Sequence, residues 1–433
     1  MDAFLRMNII DGPSVGVVYT LALGALIYLV VRRPTRHGII AGVAALLAGS
    51  VAALVTLWIV SATNAFGVDL STTTSIWVIL TFAAICFAVV NLWRSNWVRR
   101  VIASVAIVLF AVTGTVAINA DFGLDRTVAD LAGISIEKPI SLPKPDASRT
   151  PLAGEALWST WVAPKDQRAK GTTGTLIIPN TLSGFHSRPA AIYLPPAALV
   201  KNPPALPLVI MLMGQPGNPD PTSQKLVLDA FAARHNGLAP IVLVPDQLGD
   251  PTTDPLCLDT ALYGKSETFL VGDVVAWARA NLHVLPDAAH WTIAGFSNGG
   301  QCAVSLGAKH PKIWGNVLDI SGEEYPGSDR PIQTLAQAFA GNTSAYLASR
   351  PLTVLAAHHY SNTVGIFTVG SNDAKYMAQA KTVEAAAHLS GWKTTYFEVP
   401  DGGHVIGALI GGLQEGYRVL YPRLGLSDPT TAP

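Results

Sequence analysis

A serine, an aspartate and a histidine stand in an order and in surroundings that suit nucleophilic acyl chemistry. The run Gly295-Phe296-Ser297-Asn298-Gly299-Gly300 follows the apolar stretch 291–294 and precedes a helical pattern starting near Gln301. A Gly-x-Ser-x-Gly pentapeptide between a strand and a helix places its serine on a tight, strained turn. Small neighbours, here Gly295 and Gly299, let the adjoining backbone pass without side-chain clashes. The helix start behind Ser297 supplies unpaired N–H groups and positive dipole potential near a developing oxyanion. The plainer reading of the same residues is a glycine-rich turn between two elements.

A serine hydroxyl is a weak nucleophile; it needs a base, and the base needs an orienting acid. Around an elbow of this kind the chain order is serine, acid, histidine. His404, in Pro400-Asp401-Gly402-Gly403-His404, lies just past the last predicted strand and is the candidate base. His358 and His359 precede the penultimate strand and read as surface or packing residues, and His388 falls within a helical pattern. Asp373 ends the run Gly370-Ser371-Asn372-Asp373 after strand 365–369 and is the candidate acid. It is equally well placed to cap a helix beginning at Ala374. Glu323, Glu324 and Glu384 are the competing acids. Strand 208–213 runs into Gly214-Gln215-Pro216-Gly217, where a second oxyanion donor belongs. The backbone N–H groups of Gln215 and Asn298 are the candidates, because Pro216 has none; an ordinary turn is the alternative. Asp259 and Glu267 flank a segment, 257–269, that could line the site, and read as a cap and a surface charge. This chemistry calls for no metal or organic cofactor.

These residues have to be positioned by a sheet. Short β-branched runs at 174–178, 190–194, 208–213, 241–244, 291–294, 317–320, 365–369 and 395–399 alternate with amphipathic segments such as 267–281, 301–309 and 374–389. Alternation of strands and helices predicts an α/β fold with a mostly parallel sheet covered on both faces. Two strands before the first long helix predict an antiparallel N-terminal edge. The catalytic domain spans 171–425, followed by a short tail, 426–433. Residues 321–350 lie between two core strands, where a lid or substrate-binding cap is inserted in such enzymes.

The chain ahead of this domain is different in kind. Half of the 433 residues are apolar and 13% are charged, about half the usual charged fraction of a soluble protein. The deficit lies between Ser14 and Asn119, where four apolar runs, 14–31, 39–60, 75–93 and 101–118, reach the length of a membrane-crossing helix. Trp58, Trp77, Trp93 and Trp97 sit near run ends, as interfacial aromatics do. Arg32, Arg33 and Arg36 separate runs one and two, and Arg94, Arg99 and Arg100 separate runs three and four. The loop 61–74 carries Asp69 and no basic residue. The positive-inside rule then makes both Arg loops cytoplasmic and everything after Asn119 extracytoplasmic; Arg6 argues the other way. The first run lacks a strongly basic leader and is followed by Arg-Arg, unlike a cleaved signal peptide. No ionisable group lies inside the runs, which favours anchoring over transport. Residues 120–170, with Pro139, Pro143, Pro145 and Pro151, read as an extended linker. Net charge is zero without a long basic tract, so nucleic acid is not an expected partner. Of three cysteines, Cys86 reads as a small buried hydrophobe. Cys257 and Cys302 form one disulfide if the domain is exported, or stay as two buried thiols.

Tyr193-Leu194-Pro195-Pro196, Leu212-Met213-Gly214-Gln215-Pro216-Gly217, the Gly295–Gly300 elbow and Gly402-Gly403-His404 carry a family resemblance over roughly residues 170–425. In them the chain resembles the esterase family of α/β-hydrolases that includes esterase D-like enzymes and antigen 85-type mycolyltransferases. The four-span part looks like that of membrane-bound members from bacteria with mycolate-type envelopes. The resemblance implies an α/β-hydrolase fold and carboxylester hydrolysis or acyl transfer through an acyl-serine, with Ser297, Asp373 and His404 as the triad. A retained anchor departs from the mycolyltransferase pattern, which favours hydrolysis. The resulting expectation is a membrane-anchored, extracytoplasmic serine esterase acting on an envelope lipid ester, such as an acylated glycolipid or an aminoacyl phospholipid. An acyltransferase using a sugar or lipid hydroxyl is the first alternative. A catalytically silent receptor or scaffold is the second, and an intact serine, acid and histidine in order count against it.

Overall fold

The computed structural model describes residues 2–31, 35–63, 70–93, 95–123, 125–132, 138–142 and 156–431. Arg32, Arg33, Asp69, Arg94, Pro143, Pro145 and Pro151 therefore lie outside the described residues. The chain divides into two compact units, Met1–Ile136 and Glu137–Pro433.

The first unit is built on four helices, α1 (Pro13–Val30), α2 (Arg36–Ala62), α3 (Thr72–Val90) and α4 (Trp97–Phe122), each long and apolar enough to cross a membrane. Large apolar side chains such as Leu21, Leu47, Trp58 and Val105 are exposed, whereas the buried positions of α2 are Gly42, Ala45, Gly49 and Ala53. Large residues outward and small residues inward is the pattern of helices that meet in lipid. At Gly49 the approach is tight: a Cβ there would lie 2.6 Å from the carbonyl oxygen of Phe82 on α3. Cys86, read as a buried hydrophobe, is half-buried, because α3 buries Thr74, Ala83 and Ala88 instead. Two polar clasps hold the helix ends. Arg99 donates to Asn91 Oδ1 at 2.9 Å and to the Tyr28 carbonyl at 3.2 Å, satisfying part of the C-terminus of α1. Asp121 on α4 accepts from Thr74 Oγ1 at 2.6 Å and from Ser71 at the start of α3.

The second unit holds an eight-stranded sheet: β1 (Thr172–Leu176), β2 (Ala190–Leu194), β3 (Leu208–Leu212), β4 (Ile241–Val244), β5 (Trp291–Phe296), β6 (Asn316–Ile320), β7 (Val364–Gly370) and β8 (Lys393–Val399). Their order across the sheet is β1-β2-β4-β3-β5-β6-β7-β8. Only β2 runs against its neighbours, so the predicted antiparallel edge is present and the rest is parallel. Every residue of β3, β5 and β6 is buried, as expected of parallel strands covered on both faces. β1 starts two residues earlier than its β-branched run, because pairing with β2 (Thr172↔Leu194) sets its limit. That edge strand also binds part of the segment read as linker, with Ile140 N–H donating to Thr175 O at 3.1 Å and Thr175 N–H to Lys138 O at 3.0 Å.

Helices α5 (Thr222–Arg234), α6 (Val274–Asn281), α7 (Asn298–Lys309), α8 (Pro331–Ala338), α9 (Thr343–Ser349), α10 (Pro351–Ala357), α11 (Ala374–Leu389) and α12 (Ile406–Arg423) complete the layers. The amphipathic segment 267–281 is not one regular helix: a π turn at Phe269–Asp273 precedes α6. Buried Asp273 at that turn accepts from the backbone of Leu182 (2.8 Å) and Ser183 (3.0 Å), a tertiary demand that periodicity does not reveal. The insertion between β6 and β7 is helical, α8 to α10. Arg350 pins it, its guanidinium 3.8 Å from the Tyr325 ring centroid and 4.8 Å from that of Tyr346. Cys257 and Cys302 form a disulfide that ties the loop after β4 to α7, their Cα atoms 5.6 Å apart. Opening this bridge by reduction or by Cys302→Ala is expected to lower unfolding free energy by about 2–4 kcal/mol. Urea denaturation of the detergent-solubilised full chain, followed by tryptophan fluorescence with and without reductant, measures it.

Candidate active site

Ser297 sits between β5 and α7 with φ 56° and ψ −118°. A non-glycine residue in that region is strained by about 1–3 kcal/mol and persists only where its surroundings enforce it. The enforcement is visible on three sides. Ser297 N–H donates to Ile320 O at the end of β6, at 2.9 Å. A Cβ on Gly295 would lie 2.0 Å from Gly299 O, and one on Gly299 would lie 2.2 Å from Leu212 O at the end of β3. Both glycines are thus required by close passage of backbone, and β3, β5 and β6 together hold the serine above the sheet.

His404 lies in the loop after β8. Its Nε2 is 2.8 Å from Ser297 Oγ and its Nδ1 is 2.8 Å from Asp373 Oδ2. With Nδ1–H donated to the carboxylate, the Nε2 lone pair is left to accept the serine hydroxyl. The loop is fixed by Asn372 N–H on Gly402 O (2.7 Å) and Ser371 N–H on Val399 O (2.9 Å). Asp373 fills both roles its position allows. Oδ1 caps α11 by accepting from Tyr376 N–H at 3.3 Å, while Oδ2 faces His404.

The turn after β3 passes over the serine: a Cβ on Gly214 would stand 3.4 Å from Ser297 Cβ. Gln215 lies in that turn and Asn298 opens α7, and neither backbone N–H is bonded to another described residue. Arg188 holds the turn from below, donating to Gly217 O at 2.9 Å while paired to the buried carboxylate of Asp246 at 2.6 Å. Gln247 donates to Met213 O. Asp254, in the loop after β4, accepts from Leu256 N–H at 2.7 Å. These supports escaped the sequence reading, although charged Asp246 directly after an apolar strand was a signal.

Tyr376 was missed as well. It is buried on the first turn of α11, its ring centroid 3.9 Å from that of His404. Helical spacing of three residues from Asp373 returns it to the same face, which is the signal that was available. Phe296 stacks on His404 from another side, at 5.2 Å.

Among the described residues the other candidates are bonded elsewhere. Glu384 accepts from Thr394, His388 lies 3.4 Å from the same hydroxyl, and exposed His358 meets its own helix at Val354 O. His359 packs beside Gly391, and the Glu324 backbone binds Gln379. Asp259 accepts from Thr268 N–H at 2.9 Å, and Glu267 pairs with Lys309 and His310, so both brace neighbouring helices. Glu323 accepts from Ser328 Oγ at 3.2 Å, and its charge acts on Tyr376. Removal from water, then the nearby carboxylates, pushes the Glu323 carboxyl up to about 8. Removal from water likewise raises Asp254 to about 6, against the bond from Leu256. Among the described residues, no group of three or more His, Cys, Asp or Glu is arranged to hold a metal.

A β-strand, a positive-φ serine and a helix, joined to a histidine carried by the loop after the last strand of a mostly parallel sheet, define an α/β-hydrolase. Residues 185–404, just over half of the chain, match the family Esterase, described as "Putative esterase". The chain belongs to this esterase family. An uncharacterized protein of Corynebacterium glutamicum is 34% identical over 235 residues. That match covers 52% of this chain and 55% of the relative, so the chain spans about half the length of the curated relative it matches. Among solved structures it is similar to an S-formylglutathione hydrolase from Agrobacterium tumefaciens (17% identity, TM-score 0.48, covering 61% of this chain and 100% of that one). It is also similar to a ferulic acid esterase (19%, 0.46, covering 59% and 98%). A third is MPT51 of Mycobacterium tuberculosis (17%, 0.40, covering 59% and 98%).

Glu323 carries a pH prediction. Its folded value, about 8, lies above the ordinary 4.5, so the folded state holds a proton that the unfolded chain releases. The associated stability is present below pH 4.5 and is lost as pH rises through 8. Glu323→Gln, which mimics the protonated form, is expected to flatten the decline in unfolding midpoint over that window. Thermal melts of both proteins across the range check this.

Proposed function

We propose that the chain is a membrane-anchored esterase whose catalytic unit lies outside the cytoplasm and cleaves an ester of an envelope lipid. The carrying observation is the unbroken relay from Asp373 through His404 to Ser297, with both contacts at 2.8 Å. In this reading His404 Nε2 takes the proton of Ser297 Oγ as it attacks the ester carbonyl. Asp373 keeps Nδ1 protonated and stabilises the imidazolium that forms. The carbonyl electron pair moves onto oxygen, which the N–H groups of Gln215 and Asn298 stabilise. The imidazolium then protonates the departing alcohol, leaving an acyl-serine. Water, deprotonated by the same histidine, releases the acid and restores the serine.

Four apolar helices and arginines flanking their ends support the anchor and its orientation. The disulfide supports an oxidising compartment. A tether restricts the site to esters close to the bilayer, which points to lipid substrates. Between an acylated glycolipid and an aminoacyl phospholipid, two buried carboxyls favour the second. Burial raises the carboxyls of Asp254 and Glu323, and an ammonium group placed beside them would return them to the ionised form it needs as partners. An acyltransferase acting on a sugar or lipid hydroxyl differs only in what replaces water at the second step.

Fluorophosphonate is expected to label the native chain in isolated membranes and to leave Ser297→Ala unlabelled; a folded native chain that resists labelling sinks the reading. Asp373→Asn should lower kcat by roughly 10³–10⁴-fold through loss of the correct tautomer. With aminoacyl phosphatidylglycerol and its N-acetylated form as paired substrates, preference for the free amine is expected. Equal rates would remove the role given to these carboxyls.

A further inference from the structure

We propose that Tyr376 and Phe296 are positioning residues whose ring faces hold the imidazole of His404 and stabilise the imidazolium it becomes during attack. This rests on the reading of Ser297, Asp373 and His404 as a relay. The centroid of Tyr376 lies 3.9 Å from that of His404 with 31° between the ring planes. The centroid of Phe296 lies 5.2 Å away, with 28° between the planes. Near-parallel rings at such separations are too close to lie side by side in one plane, so faces meet. An aromatic face carries the negative part of the ring quadrupole, and a cation within about 6 Å of the centroid is drawn to it. Both rings are fixed by groups that also build the site. Tyr376 N–H donates to Asp373 Oδ1 at 3.3 Å, while Oδ2 of the same carboxylate faces His404 Nδ1 at 2.8 Å. Asp373 thus sets the tyrosine ring and the imidazole in register. Phe296 ends β5 immediately before the strained serine and is buried. Lys375 Nζ lies 5.3 Å from the Tyr376 centroid, so that ring already accepts positive charge.

Burial creates the need for such a contact. The side chains of His404 and Asp373 are each 9% exposed, so little water reaches the charge that attack creates. The step moves one proton from Ser297 Oγ to His404 Nε2 and the carbonyl electron pair to oxygen. The aromatic rings take up neither proton nor electron. The imidazole that accepts the proton is neutral before attack and cationic in the transition state, and a ring face attracts the second form more than the first. An interaction that strengthens only on approach to the transition state raises kcat and leaves KM alone. Release of the acyl group passes through the same imidazolium, so kcat responds whichever step is slower.

Phenylalanines carrying successive ring fluorines, placed at position 296 of the full-length, detergent-solubilised protein, keep the ring's shape while draining negative charge from its face. Log kcat for a p-nitrophenyl ester is expected to fall stepwise along the series, by roughly 2–10-fold in all, with KM and melting temperature unchanged. Tyr376→Phe keeps the second ring and should hold kcat within about twofold, whereas Tyr376→Leu should lower it by roughly 3–30-fold. A flat log kcat along the fluorinated series overturns the proposal, and so does a folded Tyr376→Leu that matches Tyr376→Phe. A Tyr376→Phe that falls as far as Tyr376→Leu also overturns it, because the ring would then not be the acting part. Should Tyr376→Leu fail to fold, the fluorinated series decides. Ser297→Ala separates the two levels of inference. If it abolishes turnover while the fluorinated series is flat, only the aromatic contacts lose their role; if turnover survives Ser297→Ala, both readings fall.

Discussion

The catalytic unit depends on holding one residue in a backbone conformation that it would not choose. Ser297 adopts a positive φ because β5 ends directly beneath it and α7 begins directly after it. Gly295 and Gly299 allow the two limbs of that turn to pass within backbone contact of each other and of β3. The strain, about 1–3 kcal/mol, is borne by the parallel strands on either side. The same arrangement aims the open N-terminus of α7 and the turn after β3 at the space above the serine. The prospective nucleophile and oxyanion donors are therefore consequences of a single constraint.

Around this elbow, charges are used twice. Asp373 divides its two oxygens between the cap of α11 and the imidazole of His404, so the helix and the relay share one anchor. Asp246, buried at the end of β4, holds Arg188, and Arg188 in turn holds the turn that carries Gln215. The disulfide from Cys257 to Cys302 fastens the loop after β4 to the first turns of α7. Pairs such as Asp246 and Arg188 tolerate little loss of either partner, because the group left behind is uncompensated. They turn a strained elbow into a rigid one.

The N-terminal unit follows other rules. Its four helices are long and apolar enough to cross a membrane, and for helices of that kind close contact and paired polar groups do the joining. Gly49 against Phe82 supplies the first, and the Arg99 and Asp121 clasps supply the second. Both clasps lie at helix ends, where unpaired backbone groups make a charged partner useful.

Much of this was legible in the chain. β-branched runs located all eight core strands; the six inner ones are buried throughout, and a strand buried on both faces must be apolar along its whole length. The apolar runs located the four long helices for a similar reason. Ser297, Asp373 and His404 could be picked out because elbow, acid loop and histidine loop each follow a strand, and strands are what periodicity reveals. Tyr376, Arg188 and Asp246 were not picked out. Each acts through a partner distant in sequence or by a helical return, and no local pattern distinguishes such a residue from an ordinary core or surface one. The sequence by itself determined the elements, their order and the residue types available for chemistry, because these depend on local sterics and on alternation of polarity. Only the tertiary structure decided that positions 107 apart in sequence close to leave His404 2.8 Å from Ser297, and that Cys257 meets Cys302. Those outcomes depend on sheet order and loop packing, where the energy of each contact is set by what lies opposite in space and not by what lies next in the chain.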